Sequence, residues 1–199
     1  MSPTYKEFLS DDAHRPGVLL FGGARMALLD IEAGFWGLHR QMEALVGQRL
    51  TDSVLQQAGA NGGASFARAF LGERPAADGA QALRDCIGAY QAAGFGRFEI
   101  ETLEWPFDLA QGKPVGRLVI RGIDAFEAWM MRQHAQEEAE GPVCAYSAGK
   151  HAAFANEAGL LSFSRPWVQM PEGEALRGEW GETVKKRSLC HDPPHRRHG

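Results

Sequence analysis

At 199 residues with 44% hydrophobic content, the chain is long enough to bury a core as one domain. A net charge of −4 and a pI near 6.0 leave no electrostatic footprint for nucleic acid or an anionic membrane. No apolar run reaches the roughly 18–20 residues of a membrane span, and Cys86, Cys144 and Cys190 are too scattered for a disulfide framework, so the expected compartment is a reducing cytoplasm.

Residues 1–17 read as a polar lead-in without the apolar core of a signal peptide. The stretch VLLFGGARMALLDI that follows is apolar and short, one strand or two with a turn at Gly22–Gly23. From Ile31 to about Phe70 the apolar spacing is helical, through Phe35, Leu38, Met42, Leu45 and Val46, then Leu50, Val54, Leu55 and Ala58. Gly47 divides this run into two helices. The second carries Gly59, Gly62 and Gly63, which serve as a break, a close-packing patch or a phosphate loop. Packing is preferred, because neither a preceding strand nor a Gly-Lys-Ser/Thr accompanies them.

GERPAADG at 72–79 is a loop by composition, and Ala80–Ala93 is a third helix with Leu83, Cys86, Ile87 and Tyr90 on one face. Cys86 there is a small core residue, and Gly94 ends the helix. In RFEIETLEW, Phe98 and Ile100 alternate with Arg97, Glu99 and Glu101, the mark of a half-buried strand. Pro106–Pro114 is a turn region and GRLVIRG at 116–122 a second strand, which together predict an antiparallel hairpin. Residues 124–140 begin at a cap-like Asp124 and read as a helix, or a loop of helical character, with an exposed His134.

GPVCAYSAGKHAAFANEAG, at 141–159, is the most distinctive segment. Pro142 fits a first helical turn, Gly159 fits a stop, and Cys144 is placed one turn inside. Ala145, Ala148, Gly149, Ala152, Ala153 and Ala155 form a small-residue face that lets another element come close. LLSFSRPWV reads as a further strand. Beyond it, residues 169–199 lose their periodicity and read as a disordered or frame-altered tail.

Three stretches together resemble the 4-vinyl reductase domain family, which is related to the aromatic-sensing modules of bacterial transcriptional activators. They are RMALLDIEAGFWGLHRQMEALVGQRLTDSVLQQAGANGGASFARAF, the hairpin AGFGRFEIETLEW…GRLVIRGIDAFEA, and GPVCAYSAGKHAAFANEAG. The resemblance implies one ligand-binding domain over 18–168. Its fold would be α+β, with helices packed on a twisted antiparallel sheet, as in nitric-oxide sensors and vesicle-tethering subunits. It also implies an apolar pocket between hairpin and helices, and a homodimer joined through the helices of residues 35–70, where Trp36 adds to the apolar stripe. Relatives bind zinc through a cysteine matching Cys144, then a glutamate and two cysteines after the helix. Here that place reads SRPWVQMPEGEALRGEWGE, so Cys144 is the remnant of the site and zinc is expected to be absent or weak. Cys190, His191, His195 and His198 in the tail are suitable ligands, but nothing apolar stands near to fix them.

The expected ligand-binding residues are Tyr90, Phe95, Phe98, Ile100, Leu118, Ile120, Arg121 and Phe126, although a solid core explains the apolar ones equally well. Phenol-sensing relatives use a His and a Trp on the hairpin segment. Phe95 and Arg121 stand near those places, which favours a ligand more apolar or more acidic than phenol. No nucleophile–base pair or nucleotide loop stands out, so the main reading is a cytoplasmic, sensor-type protein for a small apolar or aromatic molecule. The alternative is a vinyl-reductase-related pigment-binding or accessory factor in chlorophyll synthesis, with any hydride supplied by a cofactor. A third reading is a pure interaction module that docks through its small-residue helix.

Overall fold

A computed structural model describes residues 4–104, 107–108, 113–114, 117–134 and 144–160. Strands β1 (Leu9–Asp11), β2 (Leu19–Phe21) and β3 (Ala24–Met26) form an antiparallel meander in that order. Phe21 faces Ala24 across the two-residue loop Gly22–Gly23. Both glycines have positive φ, 54° and 77°, as the tight hairpin turn whose twist matches the strands requires. The stretch expected to be a polar lead-in thus supplies an edge strand and the buried Phe8, whose ring lies 5.4 Å from Phe21 and 5.7 Å from Phe70. Arg74 holds it from outside, its guanidinium 4.7 Å over the Phe8 ring while donating to the Glu7 carbonyl at 2.8 Å.

A π-helical turn, Ile31–Phe35, starts at Asp30, whose carboxylate accepts from the Glu32 and Ala33 amides. It runs into α1 (Trp36–Val46), and Gly47 separates this from α2 (Gln48–Glu73), as the sequence predicts. On α2 the buried positions Thr51, Leu55, Gly59, Gly63 and Ala67 recur every four residues, with Phe66 and Phe70 beside them. Helix α3 (Gly79–Ala92) is capped by the Asp78 carboxylate, and it buries Leu83, Cys86, Ile87 and Tyr90 on one face. Strands β4 (Arg97–Glu104) and β7 (Arg117–Ile123) pair antiparallel, with Ile100 opposite Ile120 and a register shift between Ile100 and Thr102. Between them, β5 (Phe107–Asp108) pairs with β6 (Lys113–Pro114).

Within the 124–140 segment, α4 spans Phe126–His134 and residues 135–140 lie outside the described residues, while the small-residue segment is α5 (Ala145–Glu157). Cys144 is the N-cap residue of α5 and not a turn inside it. The first α5 amides are satisfied from elsewhere: both oxygens of buried Glu127, on α4, accept from Tyr146 N at 2.8 Å and Ser147 N at 2.9 Å. A carboxylate at this end also complements the positive end of the helix dipole. This cross-helix cap begins α5 where Glu127 stands, one turn later than its own residues suggest.

Helix α5 crosses α2 through glycines on both sides. A Cβ on Gly63 would lie 2.8 Å from the Lys150 carbonyl oxygen; one on Gly59 would strike the Tyr146 carbonyl, and one on Gly149 that of Gln56. The glycines of α2 are therefore a close-packing patch. Because α5 is so deep, Ser147, Gly149, Lys150, His151, Ala153, Phe154 and Ala155 are all buried. Phe66, Phe70, Leu83, Ile87, Phe98 and Phe154 share the main core, and Phe35, Leu55, Phe126 and Met130 a second one. Each large side chain buried there contributes about 1.5–3 kcal/mol. The fold is α+β, with all strand pairs antiparallel among the described residues.

Candidate functional site

The site grows from three elements that meet at α5. Tyr90 closes the buried face of α3, and the turn after it brings Phe95 parallel to its ring at 4.2 Å. Phe98, at the start of β4, lies 5.4 Å from Tyr90, while Phe126, at the start of α4, meets Phe95 edge-on at 5.4 Å. Phe126 also meets Tyr146 of α5 edge-on at 6.2 Å. Alternating edge-to-face and offset contacts of this kind suit the ring quadrupoles.

Two polar side chains of α5 enter this aromatic cluster. Lys150 is 4% exposed, and its Nζ lies 5.2–5.8 Å from the ring centres of Phe66, Tyr90, Phe95 and Tyr146. Burial pulls its ammonium down from 10.5 to about 8, and no carboxylate among the described residues offsets that loss of hydration. His151 sits among Phe98 at 4.5 Å, Tyr90 at 5.4 Å and Phe154 at 6.0 Å. Burial, helped by the Lys150 charge, lowers it to about 3, so the imidazole is neutral. A hydrogen bond to the Ser147 backbone opposes that shift, and Nε2 has no partner among the described residues. The Tyr90 hydroxyl pairs with Ser147 Oγ at 3.2 Å; burial, and then the Glu127 charge, push both the Tyr90 and the Tyr146 phenols up.

The residues expected to bind a ligand divide. Tyr90, Phe95, Phe98 and Phe126 come together around α5. Ile100, Leu118 and Ile120 are half-buried and pack on the main core. Arg121 goes elsewhere: it pairs with Glu99 in the β4–β7 register, out of phase with Phe98 and Ile100, and its guanidinium meets Glu101 at 3.2 Å. Strand alternation sends it to the face away from Phe98. Trp36 is also more covered than its place in an apolar stripe implies, stacked between His39 at 5.5 Å and His134 at 5.2 Å. Sequence reasoning missed Lys150, His151, Tyr146 and Glu127. The available signal was a Lys-His pair set among alanines and glycine on the small-residue helix.

Cys86 and Cys144 are buried, and neither forms a disulfide. Burial, and then the Asp85 charge, push the Cys86 thiol up to about 12, which leaves it inert as a core residue. Among the described residues no three His, Cys, Asp or Glu side chains gather into a metal site. The other family ligand positions, the strand at LLSFSRPWV and the tail of 169–199 lie outside the described residues, except for Leu160. No described helix is long and apolar enough to cross a membrane.

No protein-family model matches the chain, and no curated protein matches it in sequence. The fold is similar to that of the phenol-responsive sensory domain of the transcription activator PoxR, solved with phenol. The TM-score is 0.65 and the sequence identity 20%, over 77% of this chain and 73% of that one. The chain thus shares the α+β fold of that domain.

Proposed function

We propose that this chain is a sensor-type module of the 4-vinyl reductase domain family that takes a small aromatic ligand against α5. The observation that carries the reading is the ring cluster of Tyr90, Phe95, Phe98, Phe126 and Tyr146 closed around Lys150 and His151, whose Nε2 has no partner among the described residues, on the fold of a phenol-responsive domain. A core built only for stability would not place a lysine and an unpartnered imidazole nitrogen there. Ligand binding, with no catalytic step, uses what the site contains. The test is a thermal-shift screen of monocyclic aromatics, fatty acids and tetrapyrroles on the purified chain, followed by calorimetry. Aromatics that raise the melting temperature, with the gain lost in Phe95→Ala, support the reading. Stabilisation by tetrapyrroles alone would favour the pigment-binding alternative, and a uniformly flat screen would refute both.

The same reading includes a homodimer. On α1 and α2 the exposed Leu38, Leu45, Val46, Leu50 and Val54 form an apolar patch, Leu45 being 80% exposed. A second copy of this face would cover it. Light scattering is expected to give a dimer mass that Leu45→Lys reduces to a monomer; a monomer mass for the unaltered chain refutes it. Zinc is read as weak or absent, with Cys144 acting as a buried helix-start residue. One zinc per chain in untagged protein, lost in Cys144→Ser, would overturn that.

A further inference from the structure

The aromatic-ligand reading leaves the chemistry of the ligand open, and Lys150 narrows it. A lysine placed for structure normally snorkels its ammonium to water or pairs it with a carboxylate. Lys150 is only 4% exposed, and no carboxylate among the described residues pairs with it. Glu127, the buried carboxylate of α4, is committed to the Tyr146 and Ser147 amides, and Glu101 to Arg121. Tyr90 and Tyr146 face the ammonium as rings, and both phenols stay protonated at neutral pH. His151, beside it on α5, is neutral and adds no negative charge. What surrounds the Lys150 ammonium is therefore ring faces. Its tip sits at the α2–α5 crossing, where a Cβ on Gly62 would be 4.0 Å from Nζ and 3.6 Å from the Tyr146 hydroxyl. The ring faces satisfy part of the charge, but they accept no strong hydrogen bond, so the ammonium donors are left for an incoming acceptor.

We propose that Lys150 is the counter-charge for the ligand, and that the site takes a small planar aromatic carboxylate. Its ring would pack among the side chains that enclose Lys150, with its anionic oxygens on the ammonium. The inference rests on the aromatic-ligand reading and deepens it. A neutral aromatic uses the rings and leaves the buried cation as it was. A carboxylate uses both, and a charge-assisted hydrogen bond in a desolvated site is the stronger kind. His151 Nε2 is a buried acceptor nitrogen at the same rings, which a hydroxyl on the ligand would satisfy.

The test compares benzoate, benzyl alcohol and acetate by calorimetry and thermal shift on the full chain, its Lys150→Met variant, and Arg121→Met as a control on the other sheet face. Benzoate is expected to bind the unaltered chain about tenfold or more tighter than benzyl alcohol, and acetate only weakly. Lys150→Met should lose that preference while keeping its affinity for benzyl alcohol, and Arg121→Met should retain it. Equal or tighter binding of benzyl alcohol by the unaltered chain overturns the charge assignment and leaves the aromatic reading standing. A benzoate preference that survives Lys150→Met overturns the assignment to this lysine. If neither aromatic binds, both readings fail. Should Lys150→Met fold poorly by circular dichroism, Lys150→Gln replaces it, and the comparison on the unaltered chain stands by itself.

Discussion

Replacing Lys150 by Met should stabilise the unliganded protein, which is unusual for a substitution at a buried position. Burial lowers the Lys150 ammonium from 10.5 to about 8, a difference worth about 3 kcal/mol against the folded state at neutral pH. The rings of Phe66, Tyr90, Phe95 and Tyr146 return about 1–2 kcal/mol of this through cation–π attraction. Methionine is unbranched and of similar length, so it fills the same channel without a charge. The net gain is about 1–2 kcal/mol, or roughly 2–8 °C in melting temperature for a chain of this size. The sign with pH follows from linkage. Between about 8 and 10.5 the unfolded chain holds the Lys150 proton and the folded chain does not, so the unaltered protein gains stability relative to the variant as pH rises. Urea melts of both proteins at pH 7 and pH 10 measure this difference directly. Tyr90 and Tyr146 do not obscure it, because burial holds their phenols protonated further into the alkaline range. A variant less stable by about 1 kcal/mol or more at pH 7, or a gap that does not narrow at pH 10, would falsify the view of an ammonium without an anion.

His151 is neutral in the fold and takes up a proton when the chain unfolds, so its share of the stability is lost as pH falls from 6.5 towards about 3. Over that window the loss reaches about 4–5 kcal/mol, and His151→Phe should flatten the acid limb of a stability–pH curve; an unchanged limb would show that the imidazole is not held neutral. Gly149→Ala should cost about 3 kcal/mol or more, because its Cβ meets the Gln56 backbone of α2 rather than a side chain that can turn away. Gly37 of α1, half-buried and with nothing within 4 Å of an added Cβ, is the matched control, and equal effects at the two positions would count against a close helix crossing.

Much of this architecture was legible because its causes are local. The i, i+4 apolar spacing of α1 and α2, the break at Gly47, the apolar face of α3 and the alternation of β4 each arise within a few residues of chain. The small-residue face of α5 was legible for the same reason, as was its need for a closely packed partner. Other features were not local and could not be read that way. Phe8 and Leu9 are too short an apolar run to announce β1, which exists because β2 lies beside it. The start of α5 depends on Glu127, some 20 residues earlier in the chain. Arg121 was drawn into the site by resemblance, although strand alternation, read strictly, already placed it opposite Phe98. The central case is Lys150. In a helix rich in alanine, a lysine reads as the solvent side of an amphipathic pattern. It is buried here because glycines on both helices bring α2 and α5 so close that position 150 meets the crossing and not solvent, and the rings of α2, α3 and the following turn close over the charge. Composition and period set which elements form; the distance between two helix axes decided which side chain became the site.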